Sequence, residues 1–392
     1  MTSLNGHGAP AGAPAPVHPL WENGQPARAG TAAVVLAALG IVIGAFLLLA
    51  VLAYFAVAFG VAGVGIAAVS ALVPLVIVLL TVRWIDRWEP EPRTALWFAF
   101  LWGAGASVVI ALLVDLSLQI SASAGGPAPS EFTASVVQAP LVEEGAKGFG
   151  VLLILWFARR YFDGPLDGVV YAATVAGGFA FTENILYFGN SLVEGGSTQL
   201  GSTLLVRGIF SPFAHVMFTT CTGLALGLAA RRTGPIGAIG FFLLGLIPAV
   251  MLHALWNGAF YFVTDLISYY LLVQVPLFLL AVVLVVLLRR HERAITRAHL
   301  AEYAEVGWFT PGEVDLLSTW TGRRRALAWA RSQPAAADGS SRVGAMRRFV
   351  RDSTRLAHTR HRLVVGRSAI GSAPDEQSLL VSISEDRRAL VS

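Results

Sequence analysis

"TAAVVLAALGIVIGAFLLLAVLAYFAVAFGVAGVGIAAVSALVPLVIVLLTV", residues 31–82, contains no charged side chain. At about 20 residues per crossing this run is too long for one membrane helix and suits two. The glycines of "FGVAGVG", residues 59–65, give the turn its place, since glycine tolerates backbone conformations that other residues resist. The whole chain fits this reading. Of its 392 residues 55% are hydrophobic and 13% charged, with a mean hydropathy of +0.66. A water-soluble domain carries about 25% charged residues.

Six further apolar segments follow, over about 94–120, 134–158, 169–188, 204–230, 236–262 and 266–288. The expected fold is therefore all-α, a polytopic membrane protein of about eight transmembrane helices. The loops agree with that count. Arginines stand before the first helix (Arg28) and after the second (Arg83, Arg87, Arg93), fourth (Arg159, Arg160), sixth (Arg231, Arg232) and eighth (Arg289, Arg290, Arg293). The intervening loops, near 60, 121–133, 189–203 and 263–265, have neither Arg nor Lys. Basic residues gather on the cytoplasmic side, so this alternation predicts both termini in the cytoplasm of a cell-membrane protein.

Outside residues 31–288, the Ala-, Gly- and Pro-rich segment 1–30 reads as disordered. It does not read as a signal peptide, because the apolar run after it is too long. Residues 289–392 hold eighteen arginines against eleven acids. Within them, 289–365 read as a basic, helical cytosolic tail. In "GWFTPGE" Thr310 is placed to cap a helix, with Pro311 in its first turn and Glu313 at the third position. Residues 366–392 read as disordered. The basic surplus suits a solvated face beside anionic lipid. Aromatics are not interleaved with the arginines, which argues against nucleic acid as a partner. The single cysteine, Cys221, excludes an internal disulfide.

Ionisable residues are few in the apolar segments: Asp115, Glu143, Glu144, Lys147, Glu183, Arg207, His215 and His253, with the amides Asn184 and Asn257. Lys147 is the only lysine in the chain. A charge at a helix centre costs about 2.5–3.5 kcal/mol on the insertion scale, so each needs a partner or a wet cavity. Glu143 and Lys147 share a helix face at i,i+4, Glu144 is i,i+3 from Lys147, and His253 and Asn257 share a face. Depth is more telling. With a rise of about 1.5 Å per residue, Glu143, Glu183, His215 and His253 each lie roughly 21–25 Å from the cytosolic end of their own helix. One shared site explains that level. Carboxylates, histidines and an amide at one depth suit chemistry on water. A glutamate can take its proton, and a histidine and an asparagine can stabilise the resulting oxyanion. Structural ion pairing, or a proton relay in an ion-coupled transporter, is the alternative use of such residues.

"EEGAK" (Glu143, Glu144, Lys147), "FAFTEN" (Phe179, Glu183, Asn184), "RGIFSPFAH" (Arg207, His215) and "HALWN" (His253, Asn257) resemble the four motifs of the PrsW intramembrane proteases. "DRWEPEP", residues 86–92, is similar to a segment upstream of them. The resemblance covers roughly residues 80–262. It implies a membrane-embedded hydrolase that cuts a membrane-associated protein, typically a single-pass one such as an anti-sigma factor. From the related CAAX-processing and immunity-type proteases it implies Glu143 as the base and His253 with Asn257 as oxyanion donors. Glu144 completes the catalytic set, with Lys147, Glu183 and His215 in support. Glu183 stands where those relatives have a histidine. Zinc remains an open alternative to the glutamate-and-water mechanism. Its candidate ligands are Glu144, Glu183, His215 and His253, though no HExxH motif is present.

Overall fold

A computed structural model describes residues 31–159, 161–334, 341–365 and 373–391. The expected disorder over 1–30 lies outside them. Every regular element among the described residues is helical. Ala29–Arg293 forms one compact unit, and Ala294–Ser392 belongs to a second.

Helix α1, Thr31–Ile85, has 55 residues. A straight helix of that length would reach about 80 Å, far beyond the roughly 30 Å of bilayer hydrocarbon. It is broken at Gly60 (φ 71°, ψ 160°), inside the predicted turn. α2 (Arg93–Leu101) continues through a π-helical turn, Trp102–Ser107, into α3 (Val108–Ser123). A second π-turn, Thr133–Gln138, leads into α4 (Ala139–Phe157).

α5, Pro165–Leu204, starts with Pro165 in its first turn and Asp167 accepting hydrogen bonds from the Asp163 and Gly164 amides at 2.8 and 2.9 Å. Here the structure differs from the expected loop at 189–203. The segment is helical on both sides of Gly196 (φ 63°, ψ −149°). Ser191 and Thr203 hydroxyls meet at 2.8 Å, whereas a straight helix would hold them about 18 Å apart. The chain thus doubles back at one glycine, and the polar residues around it stay helical. A third π-turn, Leu205–Phe210, precedes α6 (Ala214–Arg232); α7 (Gly237–Phe262), the short α8 (Leu266–Tyr269) and α9 (Val275–Glu305) follow.

Among the described residues, five helical stretches are long and apolar enough to cross a membrane: Val35–Ile85, Arg93–Ser123, Pro165–Arg232, Gly237–Phe262 and Leu266–Glu305. Two of these contain the Gly60 and Gly196 reversals. α4, with three charged residues in nineteen, is not among them.

The N-terminal half of α5 is the buried centre of this unit, packed on α1, α2 and α6. Close approach comes from small residues, as is usual between membrane helices. A Cβ on Gly168 would overlap the Gly223 carbonyl of α6, and one on Gly223 would overlap the Gly168 carbonyl. Trp102 Nε1 donates to the Ala146 carbonyl at 2.9 Å, with its ring where a Cβ on Gly150 would lie. That contact ties the π-turn after α2 to α4.

In the second unit, Thr310 and Glu313 form the expected reciprocal cap of α10 (Pro311–Leu317). Beyond it, Ser318 ends α10, and Thr319 caps a separate helix α11 (Trp320–Ser332) through the Gly322 amide. α12 (Arg342–Val364) follows. The disorder expected from 366 is not found over Ala373–Val391, which form α13. Alternating small polar and apolar residues hid its packing face; Leu380 and Ile383 join Leu300, Leu317 and Leu356 in one core.

Candidate active site

The i,i+3 and i,i+4 spacing on α4 puts Glu143 and Glu144 around Lys147. The ammonium is 2.6 Å from Glu144 Oε1 and 3.4 Å from Glu143 Oε2. Lys147 and Glu144 are both fully buried. Lys147 Nζ also lies 4.1 Å above the Phe179 ring of α5 and 3.1 Å from His215 Nδ1 of α6. His215 Nε2 reaches Glu183 Oε2 of α5 at 2.9 Å. Arg207, on the third π-turn, pairs with Glu183 and donates from Nε to Asn184 Oδ1 at 2.7 Å. From α7, His253 Nδ1 meets Glu144 Oε1 at 3.1 Å, and its Nε2 lies 3.9 Å from Glu143 Oε2. The structure therefore brings Glu143, Glu144, Lys147, Glu183, His215 and His253 into one connected cluster from four helices.

The donors and acceptors fix the histidine tautomers. An ammonium only donates, so His215 Nδ1 accepts from Lys147 and its Nε2–H donates to Glu183. The Glu144 carboxylate only accepts, so His253 donates through Nδ1–H and keeps its lone pair on Nε2. The cluster holds three carboxylates against two permanent cations, Lys147 and Arg207. With neutral imidazoles it has one surplus negative charge, which in a low-dielectric site favours a proton or a bound cation.

The two adjacent glutamates are not equivalent. Glu144 is sealed in by Lys147, His253 and Thr219, whose hydroxyl donates to its Oε2 at 2.8 Å. Glu143 instead lines a cavity of about 220 Å³, shared with Asp115, Gln138, Glu183 and Tyr187. Asp115 accepts from Gln119 on its own helix at 2.8 Å.

Asn257 differs from the expectation that it stands beside His253 as a second donor. Its Nδ2 donates to the Ser135 carbonyl at 2.8 Å, fastening α7 to the turn ahead of α4. Five residues on from Ser135 stands Pro140, which has no N–H to offer that carbonyl. Thr219 and Phe218 were not anticipated. Thr219 lies i+4 from His215, and that spacing was its only sequence signal. Phe218 stacks on His253 with ring centres 5.0 Å apart.

Ligand atoms of Glu143, His215 and His253 lie within 4.8 Å of one another. Two imidazoles and a carboxylate are the donor set of many catalytic zinc sites. The Glu144 bond to His253 Nδ1 is the outer-sphere support such ligands have. Glu144 and Glu183, also named as candidate ligands, each bond one of the two histidines. The donor types fit a divalent metal, provided His215 exchanges its bond from Lys147 for the ion.

Every helix that contributes to this cluster lies within the region matched by the profile of the PrsW family intramembrane metalloproteases, residues 91–288, half of the chain. The chain belongs to the PrsW family. Among curated proteins it is 36% identical to Protease PrsW of Clostridioides difficile over 155 residues, 39% of this chain and 61% of that one. It is 31% identical to Protease PrsW of Geobacillus kaustophilus over 144 residues (37% and 58%) and 27% identical to that of Bacillus subtilis over 191 residues (49% and 79%). The chain thus spans about three fifths of the length of the first two PrsW relatives. No solved structure is a significant match.

The "DRWEPEP" loop lies apart from the cluster. Buried Glu91 accepts from the Tyr171 hydroxyl, and its amide donates to Asp86 Oδ1 at 3.0 Å. Burial pushes the Asp86 carboxyl up to about 7, against the partial opposing effect of that amide.

Proposed function

We propose that this chain is an intramembrane endopeptidase that hydrolyses a peptide bond of a membrane-associated, single-pass protein near the extracytoplasmic side of the cell membrane. An anti-sigma factor is the kind of substrate the family resemblance suggests. The observation that carries the proposal is the inequality of the paired glutamates: one is sealed among three partners, the other opens on a cavity.

In this reading Glu143 takes the proton of the attacking water. Glu144 holds His253 through Nδ1, leaving Nε2 close to Glu143 to receive that proton and return it to the leaving amine. Once protonated at Nε2, His253 also donates to the oxyanion. Lys147 pairs with both carboxylates, Glu183 orients His215, and Asn257 positions α7 through Ser135. In the alternative, metal-dependent reading Glu143, His215 and the His253 Nε2 lone pair would hold a divalent metal, which would polarise a carbonyl and make water more acidic, and that lone pair would then serve the ion instead of the proton.

The same reading takes the chain through the membrane eight times, with both termini cytoplasmic. Support comes from the reversals at Gly60 and Gly196, which divide the two longest stretches, and from α4, whose charges have partners inside the protein. The alternate placement of arginines agrees.

The test compares membrane-proteome termini in cells carrying native protein and Glu143→Gln at matched levels. A single-pass protein should accumulate uncut in the variant, with the native neo-terminus mapping near the outer leaflet. Unchanged termini together with a changed proton or solute flux would assign the cluster to transport instead.

A further inference from the structure

A second cavity, about 250 Å³, lies between the C-terminal half of α1, α6 and α9. Its walls are almost wholly apolar: Val78, Val82 and Ile85 on α1, Met217 on α6, Phe278 and Val285 on α9. An apolar space of this kind stays dry and accepts hydrocarbon.

α9 closes the cavity at two points and stands off between them. At one end Phe278 stacks on Phe213 with centroids 5.6 Å apart. At the other the Arg289 guanidinium sits 3.7 Å over the Trp84 ring. Phe278, Ala281, Val285 and Arg289 follow one helix face at i, i+3, i+7 and i+11, so Arg289 continues the cavity's own wall. The eleven steps from Phe278 to Arg289 span about 16 Å, close to half of the roughly 30 Å hydrocarbon thickness. The slot is as deep as one leaflet.

Its mouth is basic. Arg289 has Arg87 and Arg293 as electrostatic neighbours, with Glu292 offsetting part of the charge. Trp84, half exposed, sits at the same level, as tryptophans at the bilayer interface do. Basic pockets between membrane helices on the cytoplasmic side suit anionic headgroups.

We propose that this slot holds one acyl chain of an anionic phospholipid, with the lipid phosphate at Arg87, Arg289 and Arg293. A substrate helix does not suit it, because a helix about 10 Å across would have to break both aromatic closures. The site does not depend on the peptidase reading.

The test reconstitutes the full chain in vesicles of equal phosphatidylcholine and phosphatidylglycerol, then measures retained lipid by native mass spectrometry after transfer to mild detergent. Native protein should retain one lipid, phosphatidylglycerol over phosphatidylcholine by on the order of tenfold. Arg289→Gln with Arg293→Gln should bring the two lipids near parity, and Ala281→Phe, which fills the slot, should lower retention of both. Equal retention of the two lipids by native protein overturns the proposal, as does undiminished retention by Ala281→Phe. If Ala281→Phe keeps its lipid but binds an uncut membrane peptide less well, the slot takes peptide and the proposal also falls.

Discussion

Replacing Lys147 by Met tests whether the buried cluster is held by charge or only by shape. Methionine has nearly the length of the lysine stem, so little cavity results, but three carboxylates are then left with Arg207 alone. At 2.6 Å and an effective dielectric of about 20, the attraction between Lys147 and Glu144 is about 6 kcal/mol before desolvation is subtracted. Removing one partner of a buried pair costs about 3–5 kcal/mol in measured cases. Against a typical total of about 5–15 kcal/mol, that is enough to unfold a marginal protein. The informative experiment is a double-mutant cycle of Lys147→Met, Glu144→Gln and the combination, read by thermal unfolding in nanodiscs. The combination removes both members of the closest pair, so it should be less destabilised than the two single changes together, with a coupling of about 2–3 kcal/mol. Additive penalties, with a coupling below about 0.5 kcal/mol, would refute the idea that this ion pair organises α4.

Three further outcomes are expected. Thr219→Val, a near-isosteric change at a fully buried position, should cost about 1.5–3 kcal/mol for the lost hydrogen bond to a charged group, while Thr219→Ser should retain most of it in the same unfolding assay. Gly168→Val should lower the unfolding temperature far more than Gly240→Val, because a Cβ at Gly168 meets the α6 backbone whereas one at Gly240 meets open space. The Asp86 carboxyl, raised from 3.8 to about 7 in the folded chain, binds protons more tightly there than when unfolded. Its contribution therefore favours folding at low pH and declines as pH rises from about 4 to 7. Asp86→Asn should flatten that part of the stability profile and make the variant the more stable protein at pH 8, measured by unfolding across pH.

The membrane character was readable because the bilayer imposes a length. An uncharged run of fifty residues admits few interpretations, and the turn fell at Gly60, within the glycines named for it. The segment after Asn190 was harder to read. Serine, threonine, glutamate and glycine look like a loop, yet a helical hairpin needs only one residue with positive φ, and Gly196 supplies it. The cluster was legible through depth, since a constant rise per residue converts sequence position into height. A shared helix face does not name a side chain's partner, and Asn257, four residues on from His253, bonds the Ser135 carbonyl. Thr219 carried too little chemical signature to stand out among the ordinary threonines of membrane helices. In the tail, the capping box at Thr310 was visible because it is local. The packing of α13 depends on partners such as Leu300 and Leu317, far back in the sequence, and local composition is silent about those.

Lys147 is the chain's sole side-chain amine, and the fold gives it no solvent exposure. An amine-reactive dye or a lysine-specific protease should therefore find nothing to attack at this position while the helices stay assembled. Exposure of this one amine would report the separation of α4 from α5 and α6, giving the protein a native chemical clock for its own opening.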